Sequence, residues 1–152
     1  MTVYRIAKTK HIRNLSGTGA RIYGGRWNRK GIGILYTSES RALATVEYLV
    51  HVSLSIVPND LSIASLEIPD PIVPKEVSTS DLPANWHDYP ASVELAELGT
   101  KWVLANDSLL LRVPSAVIKH EFNIFINPSH SDMSHVIISD VEKFTLDERL
   151  VQ

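Results

Sequence analysis

The stretch Gly24-Gly25-Arg26-Trp27-Asn28, with Tyr36 and Glu47 following it, decides how this chain is read. Paired glycines let the backbone turn tightly and approach a neighbour closely. An arginine comes at once, then an aromatic ring and an amide. From Arg26 it is 10 residues to Tyr36 and 11 more to Glu47, each in a strongly patterned segment. A fork of donors, an aromatic face and one acid suit a phosphorylated ligand that contains a sugar.

Outward from this stretch the pattern alternates between short apolar runs and polar connections. Val3 to Ala7 reads as a strand, and residues 8–31 as a long polar, glycine-rich loop of the kind that carries function inside a compact domain. Ile32 to Tyr36 is a second strand, bounded by glycine and by Thr37-Ser38. Ser40 to Val52 has helical period, with Ala42, Val46, Leu49 and Val50 on one face and Leu43 beside them. Leu61 to Ile68 is a strand ended by Pro69 and Pro71. Residues 69–91 hold five prolines and read as a surface excursion rather than a second domain. Leu95, Leu98 and Trp102 mark another helix, tightly packed at Gly99. Strands are expected at Leu109–Val113, Asn123–Ile126, Val136–Ile138 and Lys143–Leu146. The sum is an α+β fold around an antiparallel or mixed sheet, in a single domain over residues 1–152.

Composition narrows the function classes. Apolar residues make up 44% and charged residues 21%, so the chain can build an ordinary globular core. No apolar run approaches the roughly 18–20 residues that cross a bilayer. The N-terminus lacks the apolar centre of a secretion signal, so the cytoplasm is the expected location. With no cysteine, disulfides and thiolate metal sites are excluded. The net charge of −2 hides an asymmetry: eight basic residues, Arg5 to Lys30, precede the first acid, Glu39. That bias is either a solvated face or a positive mouth that attracts an anion. A pI of about 6.3, without a helix-turn-helix or finger pattern, speaks against nucleic acid.

Each candidate residue has a structural and a chemical reading. Glu47 lies at the edge of the apolar stripe of its helix, where a charge is costly unless something uses it. It is either a boundary carboxylate paired with an arginine or an acceptor for a sugar hydroxyl beside developing positive charge. Arg26 either grips phosphate or staples its loop to a carbonyl. Trp27 and Tyr36 either anchor the core or stack on a flat heterocycle. Ser115, following Pro114, has the setting of a turn residue or cap; no Gly-x-Ser-x-Gly surrounds it, so it is not read as a nucleophile. Asn127-Pro128 is turn chemistry that can also aim an amide into a pocket. No His-Glu-x-x-His motif accompanies Glu47 and His51, and His130 and His135 straddle a polar loop. No metal site is therefore expected.

Taken in order, these strings resemble the RES-domain family, named for its arginine, glutamate and serine. The resemblance runs through Tyr4-Arg5, Gly24 to Asn28, Gly31, Leu35-Tyr36-Thr37 and Ala42-Leu43-Ala44 to Glu47. It continues through Gly99 with Trp102, Val113-Pro114-Ser115 and Asn123 to His130. It implies an ADP-ribosyltransferase-like fold, with a split antiparallel or mixed β core and flanking helices. It also implies the toxin of a bacterial type II toxin–antitoxin pair, in a hetero-oligomer with an Xre-like antitoxin that covers the pocket and carries the DNA binding. NAD+ is then a substrate rather than a cofactor. It is cleaved by hydrolysis or phosphorolysis, or its ADP-ribose is transferred to a protein. Carried over by motif, the catalytic set is Glu47, Arg26, Tyr36 and Ser115, with Trp27, His51 and Asn127 as further substrate contacts. Ser115 would orient Arg26 or Glu47. An inactive nucleotide- or partner-binding module is the other class that the same pocket allows.

Overall fold

Short apolar runs form the strands of the computed structural model, which describes residues 1–53 and 55–151. In chain order they are β1 (Thr2–Lys8), β2 (Leu35–Ser38), β3 (Leu61–Glu67), β4 (Lys75–Glu76), β5 (Leu110–Pro114), β6 (Phe122–Ile126) and β7 (Ile137–Lys143). The helices among the described residues are α1 (Thr18–Tyr23), α2 (Arg41–Leu49) and α3 (Val93–Ala105), with short 3-10 turns at Thr79–Asp81, Ser131–His135 and Glu148–Leu150. The strands make one sheet in the order β4-β5-β6-β2-β1-β3-β7. Every neighbour is antiparallel except β4, which runs parallel to β5.

The sheet is nearly cut in two. β1 runs against β3 over its whole length, yet it meets β2 at one register pair, Tyr4 with Ser38. Beside that single pair, residues of β1, β2 and β6 line a cleft.

Alternation divides the core between the two faces of the sheet. Val3, Leu35, Ala64, Leu66, Leu110, Ile124 and Ile126 pack on one. Leu111, Val113 and Phe125 pack on the other, beneath Trp27, Ile34, Leu95 and Trp102. β3 is buried along nearly all its length because β1 and β7 flank it.

Several elements differ from the sequence expectation. The loop at 8–31 contains α1, a helix of six residues with none buried, too short to show a period. β2 starts at Leu35 rather than Ile32. α2 is capped by Ser40, whose hydroxyl accepts the Leu43 N–H, but it buries Leu43 and Ala44 and leaves Ala42 and Val50 exposed. The helix is present, and its inward face is centred on Leu43 and Ala44, with Val46, Glu47 and Leu49 all half-buried. The two short strands expected near the C-terminus are one strand, β7. Its polar centre, Ser139-Asp140-Val141-Glu142, is tolerated because β7 is an edge. Residues 69–91 are more than surface. They add β4 to the sheet and send Val77, Leu82 and Trp86 into the second core cluster.

Gly99 explains how α3 reaches that cluster so closely. A Cβ built there would run into the carbonyl of Trp27. Gly99→Ala should therefore cost about 1–3 kcal/mol of stability, the usual range for overpacking a tight contact. Urea unfolding measures it; an unchanged midpoint would mean that the helix and the loop do not meet so closely.

Candidate active site

Gly24 sits at φ 71, a left-handed backbone that favours glycine, and closes α1 by donating to the Ala20 carbonyl at 2.8 Å. The chain then doubles back through a small bridge between Gly25 and Asn28. Asn28 is 2% exposed, and its Nδ2 donates to the carbonyls of Ala20, Arg29 and Ile32 at 2.8, 3.1 and 3.0 Å. Its Oδ1 accepts the Tyr36 hydroxyl at 2.5 Å. That bond passes so near Gly25 that a Cβ there would lie 2.9 Å from both oxygens. The glycine, the amide and the tyrosine thus form one unit.

The cleft behind this loop has a volume of about 720 Å³. Its walls come from β1 (Tyr4, Arg5), β2 (Tyr36, Ser38), β6 (Asn123, Phe125) and α2 (Glu47, Tyr48). Antiparallel register puts Tyr4, Tyr36, Ser38, Asn123 and Phe125 on the same face of the sheet.

Glu47, in the last turn of α2, is half-buried. Its Oε1 accepts from Ser115 Oγ at 2.7 Å and from Asn123 Nδ2 at 2.8 Å. Asn123 is itself oriented by the Ser38 hydroxyl, which donates to its Oδ1 at 2.7 Å. Ser115 accepts the N–H groups of Val117 and Ile118 at 3.1 and 3.0 Å, so its own proton is directed at Glu47. Among the described residues Oε2 has no hydrogen-bond partner, and no cation pairs with the carboxylate. The arginine partner that one sequence reading gave to Glu47 is not found there. The result is a carboxylate aimed by two neutral donors, its charge left for whatever enters.

The other expected residues fall in different places. Arg26 lines the cleft while its Nη1 donates to the carbonyls of Trp86 and Asp88 at 3.1 and 2.9 Å. It does staple its loop, and Nε and Nη2 remain without hydrogen bonds among the described residues. Trp27 borders the cleft but is 3% exposed and meets Phe125 edge-on at 5.8 Å, so its ring has no open face for stacking. Tyr36 packs edge-on against Phe125 at 4.6 Å and still lines the cleft. His51 lines the cleft just past α2 and is exposed. Ser115 is 3% exposed and reaches the cleft only through Glu47.

Asn127 is not at the cleft. It is fully buried, donates to Val103 O and Asn106 Oδ1 at 3.3 and 2.9 Å, and accepts the Ser129 N–H at 3.0 Å. Its amide is consumed in tying the end of α3 to the turn after β6. The sequence reading overlooked Ser38 and Asn123 as orienting groups, and Arg5 as a cleft residue. Asn123 had a usable signal, a polar residue opening an otherwise apolar strand. Arg5 donates to the carbonyls of His11 and Ile12 at 3.2 and 2.7 Å, and burial pulls its guanidinium below the ordinary value. It remains a cation, as arginine does at any physiological pH.

The strand order, the split sheet and the cleft define a class first: this is an ADP-ribosyltransferase-like fold. The chain superposes with TM-score 0.72 on a structure described as the M. tuberculosis MbcT-MbcA toxin-antitoxin complex, at 17% identity, covering 99% of this chain and 86% of that one. A model of the RES domain matches residues 2–147, and the chain belongs to that family. A protein of Sphingobium sp. (strain YBL2) named Prs ADP-ribosylating toxin is 36% identical over 148 residues, 96% of this chain and 92% of its own length. Toxin Res of Photorhabdus laumondii subsp. laumondii is 35% identical over 155 residues, covering all of this chain and 98% of its own.

Burial pushes the Tyr36 phenol well above its ordinary value, against a smaller downward pull from a hydrogen bond with the Trp27 backbone. The unfolded chain releases this proton near 10 while the folded chain holds it, so stability falls as pH climbs past that value. Tyr36→Phe should cost about 1 kcal/mol at neutral pH, through the orphaned Asn28 oxygen, and should remove part of the alkaline loss. Urea unfolding at neutral pH and at about pH 11 tests both. An identical alkaline slope in the variant would assign that loss to other groups.

Proposed function

We propose that this chain cleaves NAD+ at the nicotinamide–ribose bond and acts as the toxin of a type II toxin–antitoxin pair in the bacterial cytoplasm, silenced by an Xre-like antitoxin. One observation carries the chemistry: Glu47 is aimed into a cleft with its charge uncompensated. Breaking the bond between C1′ and the ring nitrogen leaves the electron pair on nicotinamide and positive charge on the ribose, as in glycoside cleavage. Nicotinamide departs as a neutral molecule, so no group need protonate it. Water then bonds to C1′ and gives up its proton, yielding ADP-ribose; phosphate in the same place yields the 1-phosphate.

Glu47 Oε2 would bond the ribose hydroxyls and stabilise the growing cation. Ser115 and Asn123 hold the other oxygen and so fix the direction of the charge. Tyr36 offers the nicotinamide a ring wall, and the outward donors of Arg26 suit the phosphates. No step calls for a metal. The relatives named as toxins support the biological half of the reading, and the MbcT-MbcA complex supports the antitoxin.

Purified protein should release nicotinamide from NAD+ in excess chelator. Glu47→Gln should lower turnover at least about a hundredfold, the scale for loss of one preorganised charge, with a much smaller effect on binding. Arg26→Ala should chiefly weaken binding. Near-normal turnover in Glu47→Gln would make Glu47 a structural residue and overturn the assignment.

A second reading, ADP-ribose transfer to a protein, draws on the Sphingobium relative's name. Expression of the chain alone should arrest growth, and its antitoxin should restore it. Mass spectrometry of the arrested cells separates the acceptors: free ADP-ribose or its 1-phosphate with falling NAD+ supports cleavage, and a protein adduct with NAD+ maintained supports transfer. Normal growth with soluble protein and unchanged NAD+ would remove the toxin reading.

A further inference from the structure

The segment 69–91 has a course that its proline content did not foretell. Val77, Leu82 and Trp86 anchor it in the second core cluster. From Trp86 it continues past the cleft, where His87 and Tyr89 join the lining. The tether is made by main chain: the Trp86 and Asp88 carbonyls both accept from Arg26 Nη1. Arg26 thereby serves two directions, one nitrogen holding the strap while Nε and Nη2 remain available. The Asp88 side chain is not among the cleft residues, so its charge does not line the site. Tyr89 is 89% exposed, and His87 is exposed too, its ring meeting Trp86 edge-on at 5.5 Å.

The order of groups along the cleft decides what these rings meet. Glu47 is bonded to Asn123, which pairs with Ser38, while Gly25, beside Arg26, lies against the hydroxyl of Tyr36, two residues back along β2. In the proposed reading the bond that breaks is at Glu47 and the phosphates are at Arg26, to which the strap is fastened. A dinucleotide that puts its reacting ribose at Glu47 and its pyrophosphate at Arg26 leaves one nucleoside to pass along the strap. We infer that Trp86–Tyr89 forms the subsite for the adenosine half of the substrate, with the purine on the His87 and Tyr89 rings. The inference rests on the proposed dinucleotide substrate. Purine stacking on such rings needs no base-edge contacts and acts in the ground state, before any bond breaks.

The test uses H87A/Y89A, a variant that leaves the tether intact because the carbonyls belong to the backbone. Calorimetry compares ADP with nicotinamide mononucleotide, which lacks the adenosine half. ADP affinity should drop at least about tenfold while that for the mononucleotide moves less than about threefold. The KM for NAD+ should rise in step, with kcat nearly constant. An unchanged thermal midpoint will exclude misfolding. Equal loss of both ligands, unaltered ADP affinity, or no ADP binding by the unmodified protein would each overturn the subsite. ADP binding lost with the rings in a protein that releases no nicotinamide would uphold the subsite and remove NAD+ cleavage. Nicotinamide release with ADP affinity indifferent to the rings would do the reverse.

Discussion

The buried side chain of Asn28 is the constraint on which the site depends. One amide gathers three carbonyls from both sides of its loop and accepts the Tyr36 hydroxyl. It joins α1, the turn after it and β2 into a single piece. An unsatisfied amide at that depth would cost about 1–3 kcal/mol per lost partner, so the loop has one favourable arrangement. Trp27, the residue before it, sinks into the second core cluster and meets the glycine gap in α3. Arg26, on the other side of Trp27, is left facing the cleft. Two consecutive buried residues, Trp27 and Asn28, thus hold the half-buried Arg26 beside them on a rigid base.

The carboxylate is positioned by a different part of the chain and by the same principle. Its two donors come from the end of β5 and the start of β6, and the orienting serine comes from β2. A network of this kind strengthens along its length, each group polarising the next. Among the described residues it includes no cationic partner, which would neutralise the charge that the proposed cleavage needs. The sheet contributes Tyr4, Tyr36, Ser38, Asn123 and Phe125 from one face, and these line the cleft that Glu47 borders.

The strands and the two longer helices were legible because burial imposes a period on the residues that form them. β1, β3, β5 and β6 lie where their apolar runs put them, and Ser40 and Ser92 cap the helices that follow. The misread parts are those where burial leaves no period. α1 buries nothing, and β7 lies on an edge with polar residues at its centre. The proline-rich segment advertises its turns but not the three anchors that bring it back to the core.

At the site, the ordered strings identified the family because glycine, arginine, aromatic and acid were present as residue types at readable spacing, and Arg26, Tyr36 and Glu47 line one cleft with Ser115 bonded to Glu47. Which of their atoms are free was beyond reach of the sequence. Arg26 divides its donors between two carbonyls sixty residues away and the open cleft. Asn127, similar in kind to Asn123, is spent on α3, while Asn123 holds the carboxylate. Local patterns determine which segments become strands and helices, since a period is written in neighbouring residues. The partner of a polar side chain depends on segments brought together from far along the chain, so only the tertiary structure decides whether it is satisfied or left to act.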